Sequence, residues 1–241
     1  MRREWTRDDL LRDMTAAAWI NDRLAPPYEG TVAELVPSGY DRYLRVLHPV
    51  ERTIDDQPIE QFSWSDVARV NGRIAHAEMQ WTNISTGGAD ELVVPCNSGP
   101  SYIDFAPGTM IDEIARLLTG DRTDVSCTFA FWEGNTAHED IARDFPKARI
   151  GAFNFYLTSG PSSRAAESLH GLRANMWWPE DRSWYVCSHF DFICTYIGAS
   201  SAAADRILLS SAVEAWPAAP NHRITADGDK LNPARPIRGR G

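Results

Sequence analysis

An alternating pattern of large apolar residues dominates residues 175–200 and predicts the central strand of the fold. This stretch contains three Trp, two Tyr and two Phe around the polar run Pro179 to Arg182. The run favours a turn, because proline fixes its own backbone and aspartate bonds nearby amides. Alternation places Trp184, Val186, Ser188 and Phe190 on one strand face and Ser183, Tyr185, Cys187, His189 and Asp191 on the other. Both faces carry large side chains, which predicts a strand that is buried on both sides.

Apolar residues that recur every three or four positions predict helices elsewhere in the chain. The clearest case is residues 110–118, which the glycine at 120 should terminate. The same reasoning predicts helices at 5–24, 38–48, 63–71 and 162–172 and from residue 200 or 201. It predicts strands at 31–36, 125–132, 150–157 and 192–197, and residues 213–217 form a closing segment.

Strands and helices therefore mix without a regular βαβ rhythm, which predicts an α+β fold. We expect a single domain over residues 1–220, with a mostly antiparallel sheet and helices packed on one face. Residues 221–241 are polar and rich in Gly and Pro, which predicts a flexible C-terminal tail. Residues 87–105 are the most loop-like internal segment and the best position for a long functional loop.

Composition narrows the class of protein. The chain has 241 residues, of which 43% are hydrophobic, and a net charge of −9. No apolar run approaches the ~20 residues that cross a bilayer, and the charged start MRREWTRDDLLRD is unlike a secretory signal. We therefore expect a cytoplasmic protein that is not inserted in a membrane. Its acidic charge disfavours nucleic acid and favours a basic protein or a small molecule as partner.

The four cysteines, at positions 96, 127, 187 and 194, include no CxxC pair. Without a secretory signal, a disulfide framework is not expected. Buried free thiols are the better interpretation of these residues.

Several short motifs point to a known family. They are VPSGY at 36–40 with RVLHP at 45–49, WWPEDRSW at 177–184, and TYIGAS at 195–200 leading to EAWP at 214–217. Together they resemble an uncharacterised family of actinobacterial proteins of about this size, over most of residues 36–217. This resemblance implies a coherent fold and carries no catalytic residues. More loosely, residues 36–49 are similar to the Leu-Pro-x-x-Tyr helix that opens SUKH-type immunity proteins, which implies a toxin-binding role.

The best candidate for catalysis is a group of polar residues in the aromatic stretch. Carboxylates and an imidazole can do acid–base work or hold a metal. His189 and Asp191 share a strand face, but two ligands fall short of the three that a catalytic zinc needs, so no metal is predicted. A histidine satisfied within an aromatic strand, and a structural turn at Asp181 and Arg182, are the alternatives. The group comprises Glu180, Asp181, Arg182, Ser188, His189 and Asp191.

A second candidate lies at the end of the strand 125–132, where Trp132 and Glu133 could stack on and bond a ligand. The alternative is a strand-ending turn with a half-buried Trp. The expected binding surface comprises Trp132, Glu133, Trp178, Glu180, Asp181 and Arg182.

The sequence contains no zincin helix, nucleophile elbow, phosphate-binding loop or dinucleotide glycine pattern, so no cofactor is expected. The leading hypothesis is a non-catalytic binding protein of immunity or antagonist type, acting on a protein partner. The alternative is a hydrolase that uses His189 with Asp191 or Glu180 in an aromatic pocket. A structural role in a larger assembly stays open, as does the oligomeric state.

Overall fold

The computed structural model describes residues 4–54, 57–85, 98–100, 107–138 and 144–232. Its helices are α1 (Trp64–Val70), α2 (Trp81–Ile84), α3 (Gly108–Thr119) and α4 (Ser201–Leu208). Its strands are β1 (Arg42–Leu47), β2 (Val50–Ile54), β3 (Gln57–Phe62), β4 (Ser98–Pro100), β5 (Ser126–Trp132), β6 (Ala148–Ile150), β7 (Phe153–Pro161), β8 (Ser168–Leu169), β9 (Leu172–Arg173), β10 (Met176–Pro179), β11 (Trp184–Cys187), β12 (Cys194–Ala199) and β13 (Glu214–Ala218).

An 8-stranded sheet in the order β13-β1-β12-β11-β10-β5-β7-β6 forms the centre of the fold. Every neighbouring pair within it is antiparallel. A 3-stranded sheet, β3-β2-β4, and the small hairpin β8-β9 complete the strands. The fold is therefore a single-domain α+β architecture, as the sequence predicts.

Both faces of the central sheet are buried. On β10, Trp177 packs in the cluster that contains α3 and α4, whereas its neighbour Trp178 packs in the opposite cluster. Trp184 and Tyr185 alternate in the same way on β11. We call these two sides the α3–α4 face and the N-terminal face, because residues 17–36 supply much of the cover on the second side. The prediction that the Trp184 strand is covered on both sides is confirmed.

Elements with a local signal form where the sequence predicts them. The Ser63 hydroxyl accepts a hydrogen bond from the Asp66 amide at 2.9 Å and so caps α1. Ser200 caps α4 in the same way through the Ala203 amide, at 3.4 Å. Helix α3 and strand β5 match their predicted positions within two residues. The predicted strand 150–157 is instead two strands, because a turn at Gly151 joins β6 to β7.

The predicted helix at 5–24 is wrong. The structure has only short 3-10 turns there, at Arg7–Asp9 and Thr15–Ala17. The backbone instead bonds to distant strands: the Trp5 amide donates to the Ser168 carbonyl and the Leu11 amide to the Leu157 carbonyl, each at 2.8 Å. Amides committed to a sheet cannot continue a helix, so tertiary bonding overrides the helical spacing.

The predicted strand at 31–36 is also wrong, since Val32–Glu34 is a 3-10 turn. Thr31 and Glu34 form a capping box, in which each side chain accepts from the other residue's backbone amide.

The helix predicted at 162–172 is also wrong: the structure has a 3-10 turn at Ser162–Arg164 followed by the β8-β9 hairpin. His170 and Gly171, with φ of 50° and 81°, supply the left-handed pair that such a two-residue hairpin turn requires.

The helix predicted at 38–48, and implied there by the similarity to SUKH-type proteins, is strand β1, second in the order of the 8-stranded sheet. It pairs with β12 on one side and β13 on the other. Burial of its apolar residues on both faces also suits a strand between two neighbours. The helical spacing of Tyr40, Tyr43, Leu44 and Leu47 is therefore coincidental.

The motifs VPSGY, RVLHP, WWPEDRSW, TYIGAS and EAWP lie in one region of the sheet. VPSGY directly precedes β1, and the others lie on or next to strands β13, β1, β12, β11 and β10, which are consecutive in the sheet. Tyr40 of the first motif lies over Gly198 of the last, so closely that a Cβ at Gly198 would overlap the Tyr40 ring and lie 2.8 Å from Val36 Cγ1.

The segment predicted as a flexible tail is anchored through Asn232, which corrects the boundary at residue 220. The Asp229 carboxylate is buried and accepts from the amides of Gln80 and Asn232, at 3.1 and 2.8 Å. It also pairs with His76 Nε2 at 2.9 Å. Residues 233–241 lie outside the described residues, as do residues 87–97 and 101–105 of the predicted loop; Ser98–Pro100 forms strand β4.

The contact between Tyr40 and Gly198 gives a stability prediction. We expect Gly198→Ala to lower the free energy of unfolding by about 1–3 kcal/mol, because the added methyl overpacks the site. In a Tyr40→Ala background the same change should cost clearly less, since the overlapping ring is gone. Urea denaturation of the four proteins of this cycle measures both values. Equal costs in the two backgrounds would contradict the prediction.

The anchoring of the C-terminal segment gives a second prediction. We expect Asp229→Ala to lower the free energy of unfolding by about 3 kcal/mol, because buried donors at residues 80 and 232 lose their acceptor. The nearby exposed Asp227→Ala serves as control and should cost about 0.5 kcal/mol or less. Urea denaturation of both variants decides the matter, and equal effects would contradict the anchor.

Candidate functional site

Strand β5 separates the predicted site residues into two groups. Glu180 follows β10 and lies beside Ser126, the first residue of β5, whereas Trp132 is the last residue of β5. Six steps along a strand span about 20 Å. We call these regions the Glu180 end and the Trp132 end. The expected binding surface is therefore not one contiguous patch.

At the Glu180 end, carboxylates bond to neighbouring residues of the turn. The Ser126 hydroxyl donates to Glu180 at 2.8 Å. Asp181 pairs with Arg122 at 2.7 Å and accepts from the Ser183 amide at 2.9 Å. These bonds describe a structured hairpin turn, with Arg182 in a left-handed conformation, φ 55°. Glu180 is thus remote from His189, and the three residues of the predicted hydrolase site do not come together.

Trp178 does not contribute to a surface. It is 2% exposed, stacks on Tyr185 with ring centroids 5.6 Å apart, and meets the edge of Trp19 at 6.4 Å. This expected binding residue belongs to the core of the N-terminal face. Ser188 is buried too, and its hydroxyl is hydrogen-bonded to Thr195 Oγ1 at 2.7 Å.

At the Trp132 end the aromatic rings pack on one another. Trp132 stacks on Phe190 with centroids 3.7 Å apart and meets the edge of Phe153. Glu133 forms an ion pair with Lys147 at 2.7 Å. The hydrogen bond from Lys147, with a second from Asn154, holds the pKa of the Glu133 carboxyl below its usual value. Trp132 is half-buried, as the alternative interpretation of this turn expects.

Next to the Trp132 end lies an apolar pocket with a volume of about 340 Å³. Five separate parts of the chain form its wall: residues 24–35, the region of the turn between β6 and β7, Met176 on β10, the loop after β11, and the segment around residue 224. This volume and lining fit the size and character of small-ligand sites. Its apolar residues include Leu24, Leu35, Ile150, Phe153, Met176 and Ile224, and its polar ones include Glu34, His189 and Asp191.

His189 is the central polar group of this pocket. Its side chain packs among Phe153, Phe190 and Phe192 and is 8% exposed as a residue. The Asp191 amide donates to His189 Nδ1 at 3.2 Å, and the nearer Asp191 carboxylate oxygen lies 3.7 Å from that nitrogen. The hydrogen bond from the Asp191 amide favours the neutral imidazole with its proton on Nε2. The structure brings His189 and Asp191 together in the loop after β11, which ends at Cys187, and not on the shared strand face that the sequence predicts.

Burial lowers the pKa of His189 below its ordinary 6.5, because a charged ring is poorly solvated among the phenylalanines. The carboxylates of Asp191 and Glu34 act in the opposite direction and raise it. The effect of burial is larger than that of the two carboxylates, so the pKa of His189 is lowered and its ring is neutral at physiological pH.

Glu34 is a pocket residue that sequence reasoning missed. Its carboxylate accepts from the amides of Tyr28 and Thr31, at 2.6 and 3.1 Å. Tyr28 stands beside it at the pocket rim, 84% exposed. The T-x-x-E spacing of the capping box was a readable signal for Glu34. Nothing local could have placed it beside His189, since that depends on the long-range packing of residues 24–35.

A second cavity, of about 550 Å³, lies on another part of the molecule between β1 and the start of α3. Met110 and Ala212 are among its lining residues. Its wall includes Glu113 and Glu214, and Glu113 is already paired with Arg116 at 2.6 Å. This cavity provides a control for the pocket at His189.

Three further features concern metal binding, the cysteines and the membrane. Among the residues described, no group of three or more His, Cys, Asp or Glu side chains is placed to hold a metal ion. Cys127, Cys187 and Cys194 are buried free thiols, as predicted, and Cys96 lies outside the described residues. Within the described part of the chain, no helix is long and apolar enough to span a bilayer.

Comparison with known proteins identifies no relative of this chain. No protein-family model, curated protein or solved structure matches it. Functional inference therefore depends on the geometry of the pocket and on its charges.

The environment of His189 gives a pH prediction. Because its pKa is lower in the folded protein, the unfolded chain binds more protons near and below pH 6.5. The free energy of unfolding should therefore fall as the pH drops from 6.5 toward the folded pKa, by at most about 1.4 kcal/mol per pH unit for this group. His189→Asn should remove this part of the acid sensitivity. Urea denaturation at several pH values between about 7.5 and about 5 measures the slopes.

His170→Asn is the matched control, because His170 is exposed and Asn tolerates its left-handed backbone. This control should keep the slope of the parent protein. An unchanged slope in His189→Asn would contradict the assignment.

Proposed function

We propose that the protein is a non-catalytic binding protein and that the pocket at His189 is its ligand site. The observation that carries this proposal is an apolar pocket of about 340 Å³ around one nine-tenths buried imidazole. Apolar walls with a few placed polar groups are typical of recognition sites. An antagonist of another protein would use such a pocket to accept an apolar side chain of its partner.

Charge favours a basic protein as that partner. The chain carries a net charge of −9, and the carboxylates of Glu34 and Asp191 lie at the pocket. Opposite charge on the partner would speed and orient the encounter. The same charge disfavours nucleic acid. A cytoplasmic location also belongs to the proposal, and the three buried free thiols are compatible with a reducing compartment.

The alternative, a hydrolase, has less support. His189 Nδ1 accepts the Asp191 amide, which leaves Nε2 as a proton donor and not as a general base. The nearby Ser188 hydroxyl is engaged with Thr195, and Glu180 lies at the opposite end of β5. A nucleophile–base pair would need a different arrangement of these groups.

A neutral probe, N-acetyl-phenylalaninamide, tests the proposed site. Met176 lines the pocket and Met110 lines the other cavity, so ¹³C-methyl labelling of methionine reports on both by NMR. We expect the Met176 resonance to move saturably with probe while that of Met110 stays in place. Resonances are assigned with Met→Leu variants. The probe should be recovered intact, because the protein is expected not to cleave its amide bond.

Matched bulky substitutions control for unspecific binding. Ala152 lines the pocket and Ala212 lines the other cavity. We expect Ala152→Phe to weaken probe binding at least about tenfold, or 1.4 kcal/mol, and Ala212→Phe to leave it unchanged. No saturable shift of Met176, or hydrolysis of the probe, would contradict the proposal.

A further inference from the structure

The feature that goes beyond general apolar binding is the unused nitrogen of His189. Nδ1 is engaged by the Asp191 amide, so the neutral ring carries its proton on Nε2. Nε2–H has no hydrogen-bond partner among the residues described, although the residue is only 8% exposed and lines the pocket. This nitrogen is not among the fully enclosed side-chain atoms that lack a partner, so it is open to the pocket. An occupant of the pocket can therefore supply an acceptor for Nε2–H.

The carboxylates around the pocket restrict what this acceptor can be. Glu34 and Asp191 both line the pocket. A carboxylate or phosphate on the occupant would be repelled by these two carboxylates, because like charges disfavour each other at a shared site. A neutral carbonyl accepts from Nε2–H without that penalty. The acceptor is thus best supplied by an amide.

The rim of the pocket favours an occupant that carries a positively charged group. Asp191 is exposed there, with 68% of its side chain accessible, and Tyr28 presents an exposed ring. An exposed carboxylate and an accessible aromatic ring that line the same pocket each favour an ammonium or guanidinium group, through ion pairing and cation–π attraction respectively. The apolar wall meanwhile accepts an uncharged side chain.

We infer that the occupant of the pocket is a basic peptide segment of a protein partner, with an apolar anchor side chain flanked by Lys or Arg. The anchor fills the pocket, a backbone carbonyl of the segment accepts from His189 Nε2–H, and a flanking cation lies beside Asp191. This inference rests on the proposed binding function and specifies its ligand class.

Two capped peptides of equal size test the charge preference: acetyl-Lys-Phe-Lys-amide and acetyl-Glu-Phe-Glu-amide. Their affinities are measured from the Met176 methyl resonance in the intact protein. We expect the basic peptide to bind at least about tenfold more tightly, with the difference shrinking as salt is added. Asp191→Asn should reduce the affinity for the basic peptide. The control Asp205→Asn, at an exposed position on α4, should leave it unchanged.

Two substitutions at His189 test the donor. His189→Gln places an amide N–H near the position of Nε2, whereas His189→Asn keeps an acceptor for the Asp191 amide and lacks that donor. We expect Asn to weaken the basic peptide about five- to tenfold and Gln to restore most of the loss. Unfolding curves verify that both variants are folded. Equal affinity of the two variants would overturn the role of Nε2–H.

The outcomes separate this inference from the proposed function. If N-acetyl-phenylalaninamide binds at Met176 but the basic and acidic peptides bind equally, the pocket is a ligand site and the inferred peptide class is wrong. If the acidic peptide binds more tightly, the inference is overturned in the same way. If neither the neutral probe nor the basic peptide moves the Met176 resonance, the proposed function fails as well.

Discussion

Burial of large aromatic side chains on both faces of one sheet is the constraint on which the rest of the structure depends. Trp177 and Trp178 are consecutive on β10 and enter opposite clusters, as do Trp184 and Tyr185 on β11. Each face needs a cover, because an exposed tryptophan face would cost several kcal/mol of hydrophobic burial. Helices α3 and α4 cover one face, and residues 17–36 cover much of the other as irregular chain.

The irregular cover explains why the pocket lies where it does. A regular helix presents one smooth ridge of side chains, whereas residues 24–35 follow the sheet in short turns and leave a gap above Met176 and Ile150. His189 and Phe192 close that gap from the loop after β11. The candidate site is thus a product of imperfect cover over an aromatic sheet, positioned by rigid strands beneath it.

Sequence patterns predicted the parts of the fold that local physics decides. Serine caps located α1 and α4, the amphipathic stripe located α3, and the Pro-Glu-Asp turn located the β10-β11 hairpin. Predictions failed where partners are distant: the Trp5 and Leu11 amides bond to strands far along the chain, and β1 becomes a strand only between β12 and β13. The site followed the same rule. His189 and Asp191 were predicted as neighbours, whereas Glu34, Phe153 and Ile224 joined them only through tertiary packing.

The position of β1 has a consequence for how the chain acquires its structure. Both of its hydrogen-bonding neighbours, β12 and β13, lie far downstream of it in the sequence. Its two edges therefore stay unpaired on the ribosome until residues 194–218 have emerged. Such long-range pairing slows folding and leaves apolar strand edges open to other nascent chains. We expect this protein to depend on chaperones during synthesis more than a helical protein of equal length.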